Sequence, residues 1–434
     1  MHLYRGWKSG LNRLGCFPLL LSTLLIYSLA SHNVASAEEV AEETEEVNVC
    51  IECHLEMEDI LKDVVIGWQK SVHAEAGVLC HDCHGGDPTD YGEAMEPTSG
   101  FKPKPELKDI PKFCSKCHSD PAKMRTYNLP HDQFDQFSGS VHGQKLAAGD
   151  KKAPTCINCH GSGHDIRRIE DPDAPTNRTN VVKTCAGCHS NKAVMDKRGL
   201  PSNQYELYKT SVHGQLYFEG DLGVPTCIDC HSNHGIMKPQ NNYTRLICVN
   251  CHVEQEEAYK MSLHWDNAIE TGSPTCVHCH SNHNIGKPSP AKFVDEGKLN
   301  CLGCHKKNSL QMETATTLHK MITSTGDSLA QGNDAVKVLH DWSGSGFQTS
   351  HLSNKLKKVE KILGEITTGS HSLDVSSFTK KAQTAETLAT EVITEVEDRK
   401  KELTSRKWGL LVSWVVFFTF SYALYRRSSL CSRD

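Results

Sequence analysis

Residues 211–252 read SVHGQLYFEGDLGVPTCIDCHSNHGIMKPQNNYTRLICVNCH, and this stretch decides how the chain is organised. It holds Ser-Val-His213, a Pro-Thr-Cys227-x-x-Cys230-His231 motif, a further His234, and a second motif, Cys248-x-x-Cys251-His252. The same order recurs on both sides. Residues 140–189 carry His142, then Cys156, Cys159 and His160, then His164, then Cys185, Cys188 and His189. Residues 262–305 carry His264, then Cys276, Cys279 and His280, then His283, then Cys301, Cys304 and His305. A degenerate copy at 71–118 has His73, then Cys80, Cys83 and His84, then Cys114, Cys117 and His118. It has Gly85-Gly86-Asp87 where the extra His should stand. One solitary motif, Cys50, Cys53 and His54, precedes them all.

Nine Cys-x-x-Cys-His segments therefore use eighteen of the 20 cysteines. The remaining two are Cys16 and Cys431, so no cysteine is left for a disulfide. Two thiols two residues apart can add to the two vinyl groups on one porphyrin edge, and the adjacent His then sits over the iron. Each segment reads as a covalent c-type haem site, nine in all. Cys-x-x-Cys pairs also make zinc ribbons, but zinc does not demand His after every second Cys. Nine such histidines by chance would occur at a frequency on the order of 10⁻¹¹. A thioredoxin-like pair would need a βαβ context, which is missing here.

The composition agrees. Of 434 residues only 38% are hydrophobic and 7% aromatic, below the roughly 45–50% apolar content of ordinary globular chains. Side chains alone build a thin core, and porphyrin supplies the missing apolar volume. The formal net charge of −6 excludes the broad basic surface that nucleic acid binding requires.

A proximal His leaves one axial position open on each iron. The recurring His142, His213, His264, His164, His234 and His283, joined by His73 and by His319 after the last motif, make eight distal candidates for nine irons. His131, His340, His351 and His371 compete for the ninth place, which otherwise stays open. His81 and His278 lie inside Cys-x-x-Cys loops and are not read as ligands. Paired imidazoles saturate the iron and favour its ferric state relative to a His/Met pair. This predicts a chain of low-potential haems rather than a set of catalytic centres.

The Ser-Val-His-Gly … Pro-Thr-Cys-x-x-Cys-His … His pattern over residues 50–305 resembles the multihaem cytochromes c of bacterial and archaeal respiration. That resemblance implies mostly bis-His haems stacked in alternating parallel and perpendicular pairs, with short α-helices in a loop-rich, haem-packed fold. It also implies a periplasmic or membrane-tethered electron carrier, with quinol-linked membrane subunits and periplasmic or extracellular redox proteins as partners.

The ends frame this domain. Residues 1–37 read as a signal peptide: Arg5, Lys8 and Arg13, an apolar stretch from Phe17 to Ala30, and an Ala35-Ser36-Ala37 cleavage site. Residues 38–49 form an acidic leader. Residues 306–405 carry helical stripes, Leu352, Leu356, Val359, Leu363 and Ile366, then Phe378, Ala382, Ala385, Leu388, Val392 and Val396. Gly344, Gly346 and Gly369-Ser370 break them. Helices are expected near 309–341, 349–368 and 375–405. An α-helical hairpin packed on itself, on the haem domain or on a second copy of the chain satisfies these stripes. Lys355, Lys357, Lys358 and Lys361 read as a solvated face. The last helix runs into a transmembrane segment at 406–427, whose 18 uncharged residues from Trp408 to Tyr425 have aromatic edges. Residues 428–434 then form a cytoplasmic tail, with the haem domain on the extracytoplasmic side. The expected role is electron transfer between the quinol pool or a membrane partner and periplasmic acceptors. The alternative is a terminal reductase of a nitrogen or sulfur oxyanion with one open haem.

Overall fold

The structure, a computed structural model, describes residues 48–431 apart from 59, 238–246, 272–273, 297–299 and 344–348. The signal-peptide reading, most of the acidic leader, the Gly344 and Gly346 breakers and the end of the tail lie outside the described residues. All regular structure among the described residues is helical.

Two regions differ in what fills them. From Val49 to His305 the helices are short, ten residues at most, and joined by turns. One cluster of buried hydrophobics is built there by Val181, Val182 and Tyr217, with Tyr205, Tyr208 and Val224 against it. The larger apolar clusters all lie in the C-terminal region.

Each repeat builds two short helices by the same devices. A buried serine caps the helix bearing the Ser-x-His histidine. Ser211 accepts from Gly214 N at 3.0 Å and donates to Tyr208 O at 2.6 Å. Ser140 does the same with Gly143 N and Phe137 O, and Ser71 with Ala74 N and Trp68 O. In the three full repeats the motif helix opens on a buried threonine whose backbone N–H is capped by the side chain three residues on, and in the first repeat Leu79 N is capped by Asp82 in the same way. Thr155 N donates to Asn158 Oδ1, Thr226 N to Asp229 Oδ2, and Thr275 N to His278 Nδ1. His278 thus serves as a helix cap.

Consecutive repeats are stitched by backbone. Val72 N donates to Ile166 O, Val141 N to Ile236 O and Val212 N to Ile285 O, at 2.8, 2.8 and 2.9 Å. Each bond joins the Ser-x-His helix of one repeat to the segment just past the extra histidine of the next.

Three long helices follow at Leu310–Ser343, Ser350–Gly369 and Val375–Cys431. All three pack on one another, so the expected hairpin is a three-helix bundle. The reason is legible in the third helix: Phe378, Ala382, Ala385, Ala389, Val392 and Val396 are buried at alternating spacings of four and three, the seam of a left-handed bundle. They meet Met321, Ile322 and Ile366 at one end and Leu339, Leu352 and Leu356 at the other. The helix at 310–343 also packs on Pro290–Phe293 and Cys301–Gly303, while Ser370–Ser372 packs on the helix at Val253–Lys260. The bundle is therefore seated on the last two repeats. Lys355 pairs with Glu391 at 3.0 Å and His351 with Glu395 at 2.7 Å, which ties the second helix to the third.

Beyond the bundle, the third helix is long and apolar enough to cross a membrane, and none of its apolar window is buried. Trp408, Leu410, Trp414, Phe417, Phe418 and Phe420 are all exposed.

Candidate haem-binding sites

The structure brings histidines together in opposed pairs. His73 faces His118, His84 faces His164, His142 faces His189 and His160 faces His234, with ring centres 6.2, 6.1, 6.2 and 5.9 Å apart. His213 faces His252, His231 faces His283, His264 faces His305 and His280 faces His371, at 6.2, 5.9, 6.0 and 6.0 Å. A metal–imidazole bond is about 2.0 Å and the ligating nitrogen lies about 1.1 Å from its ring centre, so two rings gripping one metal stand roughly 6 Å apart. Each pair joins one motif histidine to one histidine from elsewhere. The residues present fit a haem iron held from both faces.

Burial lowers the pKa of His73, His118, His142, His160, His164 and His189, and of His213, His231, His234, His264, His280 and His283. His142 is pushed down to about 4, by burial first and then by His189 and Arg198. Neutral rings are what a metal requires of imidazole ligands.

The pairing follows a rule. The Ser-x-His histidine serves the second motif of its own repeat, as His73, His142, His213 and His264 do. The extra histidine serves the first motif of the preceding repeat, as His164, His234 and His283 do. Gly85-Gly86-Asp87, at the extra-histidine position of the first repeat, therefore deprives none of the paired sites: the first motif it would serve has no counterpart in the chain.

One expected ligand stands apart from the pairs. His319 faces no imidazole among the described residues; its Nδ1 lies 3.1 Å from the Pro290 carbonyl oxygen. The ring opposite His280 is His371. His319 is simply the first histidine after the last motif, but it sits on the long helix at Leu310–Ser343. Of the other competitors, His351 is engaged by Glu395, His340 lies beside Asp341, and His131 is exposed. Among the described residues no imidazole faces His54.

The cysteine sulfurs set the order of the sites. The Cys114 and Cys156 thiols lie near enough to shift one another's pKa, as do Cys185 with Cys227, and Cys276 raises that of Cys248. Cys50 and Cys80 are near enough to raise the Cys80 pKa. These contacts join the first cysteines of motifs one and two, three and four, five and six, and seven and eight. Second cysteines make the intervening links: Cys83 with Cys117, Cys159 with Cys188, Cys230 with Cys251, and Cys279 with Cys304, in each case by mutual charge. Each motif thus has cysteines near those of the next motif in the chain, from the first to the ninth.

Zinc fits poorly. Structural zinc wants four converging ligands, and the described residues hold no group of three or more His, Cys, Asp or Glu placed for a metal ion.

Comparison with known proteins agrees with this chemistry. Residues 26–85 match the family described as cytochrome c554 and c-prime. A multiheme cytochrome MtrA from Shewanella baltica (strain OS185) is 26% identical over 174 residues, 33% of this chain and 52% of that protein. The chain thus spans about half the length of this curated relative. No solved structure matches. With the motifs, these matches support a multihaem c-type cytochrome family, whose cofactor is covalently bound c-type haem and whose business is electron transfer.

Proposed function

We propose that the chain is a nine-haem, membrane-anchored conduit carrying electrons between a membrane donor and extracytoplasmic acceptors. The observation that carries this is the succession of neighbouring sites from Cys50 to His305, eight of them flanked by two imidazoles. Haem, when bound, supplies the one-electron ferric–ferrous chemistry. The chain's own residues do the rest. Eighteen cysteines fix each group by its edge, and His54, His84, His118, His160, His189, His231, His252, His280 and His305 take the proximal positions. The opposed histidines fill the second axial place and exclude exogenous ligands there. The repeat-to-repeat backbone bonds hold neighbouring sites at constant spacing.

The bundle seats the eighth and ninth sites at the start of the helix that runs toward the bilayer, about 50 Å of helix before Trp408, so a quinol-linked membrane subunit that reaches up along the bundle delivers electrons to that end. The first site lies at the far end of the succession, facing periplasmic or extracellular redox proteins. The haem domain then occupies the extracytoplasmic side, with residues 1–37 as a signal peptide and 428–434 in the cytoplasm. The test uses native membranes: a quinol analogue should reduce the haem bands, and a soluble acceptor should reoxidise them. Membranes in which the quinol analogue leaves every haem oxidised would overturn the proposal.

A second reading is favoured by one observation, the unopposed His54. An iron with an exchangeable sixth position at that site suits a terminal reductase of a small oxyanion. Turnover separates the readings: a reductase consumes added nitrite or sulfite when its haems are reduced, whereas a conduit leaves both unchanged.

A further inference from the structure

The pairing rule runs into an edge at the last repeat. First motifs take their distal histidine from the following repeat: His84 from His164, His160 from His234, and His231 from His283. His280 has no following repeat to draw on. The residue that reaches it is His371, 91 positions along the chain, from the turn between the second and third long helices, with ring centres 6.0 Å apart and planes 27° from parallel. The other opposed rings of first motifs have the same geometry, at 5.9–6.1 Å and 8–19°.

The turn around His371 is built to hold the ring still. Its Nδ1 lies 2.9 Å from the Thr368 carbonyl oxygen, which directs Nε2 the other way and fixes the ring as a second-shell bond fixes a metal ligand. Ser370 Oγ donates to Thr367 O and Ser372 Oγ to Gly369 O, at 2.7 and 2.8 Å, and both serines are buried. Leu373 closes the turn with φ 60°, a conformation costly for a branched side chain and kept only where its surroundings demand it. The turn rests on the helix at Val253–Lys260, inside the last stitch of the repeat array.

Resting on the haem-chain reading above, we propose that His371 is the distal iron ligand of the eighth haem, so that the helix bundle stands in for a missing next repeat. The bundle is then fastened to the electron-carrying array by a metal–imidazole bond as well as by packing. Four residues past His371 the chain enters the helix Val375–Cys431, so the membrane-directed helix starts beside a ligated iron. Displacement of the bundle relative to the repeats acts on that iron through its ligand, and on the ninth site only through packing against Cys301–Gly303.

The test uses the full-length holoprotein in detergent, with haem content and iron spin state read separately. His371→Gly should leave haem content unchanged, convert one iron's worth of low-spin signal to high-spin, and create one new carbon monoxide-binding site. Added imidazole should restore the low-spin signal. His371→Met, which keeps a ligand in place, should remain low-spin while one haem titrates at a higher potential. His319→Gly should match wild type in every readout. The proposal is overturned if His371→Gly keeps the wild-type spin census, or if His319→Gly loses the low-spin iron instead. Wild-type protein without haem would mean instead that the underlying reading fails.

Discussion

The residue directly after each first-motif histidine adopts a backbone conformation that L-amino acids avoid. Gly85 has φ 68° and ψ −156°, Gly161 φ 93° and ψ −169°, Ser232 φ 66° and ψ 176°, and Ser281 φ 67° and ψ −171°. In the three full repeats the chain must turn there so that the extra histidine, two or three residues later, points back toward the preceding repeat. Two copies use glycine and two use serine. This region is essentially reserved for glycine and costs other residues about 1–3 kcal/mol, while glycine gives back about 0.5–1 kcal/mol in unfolded-chain entropy. Ser232→Gly should therefore stabilise the protein by about 1 kcal/mol. Gly161→Ala should cost at least as much through the backbone alone, because a Cβ there meets nothing nearer than 3.6 Å. Denaturant unfolding followed by haem absorbance and by circular dichroism measures both. A Ser232→Gly protein less stable than wild type, or a Gly161→Ala protein unchanged, would refute the reasoning that the turn is strained.

Further expectations concern packing and protons. A Cβ on Gly214 would lie 1.9 Å from Tyr208 O, so Gly214→Ala must open the Ser211 cap and should cost about 1–2 kcal/mol; unchanged unfolding midpoints would contradict this. Thr325 is fully buried in the bundle and its Oγ1 has no hydrogen-bond partner. Thr325→Val should stabilise by about 1 kcal/mol, as unfolding of the bundle would show. Burial pushes the His142 ring down to about 4 and a bond to iron would hold it unprotonated further, against about 6.5 unfolded, so the unfolded chain takes the proton first. Stability from this group is complete above pH 6.5 and declines as pH falls toward 4. An acid titration of unfolding midpoints with a flat line across that window would contradict it.

The sequence showed the haem motifs, the repeat unit and the helix stripes because all three are local or periodic. Ser-x-His and the histidine after the first motif stood out by recurrence, and the structure pairs every one of them with a motif histidine. What stayed hidden was which pairs with which, since the rule crosses repeat boundaries. His371 was illegible for a physical reason: it belongs to a single turn, copied nowhere else, and acts across 91 residues. The available signal was the asymmetry itself, because a backward-serving histidine must be replaced at the array's last first motif. All three bundle helices were legible from their stripes; the stripe put Leu388 on the seam, where Ala389 is the fully buried residue and Leu388 packs half-buried beside it.

The most direct measurement is the intact mass of the purified chain together with a spin-state census of its iron. The account predicts nine covalently attached haems per polypeptide, eight of them low-spin with two imidazole ligands, and the iron at Cys50–His54 as the exception. A polypeptide carrying fewer than nine haems, or one whose irons are mostly high-spin, would contradict it.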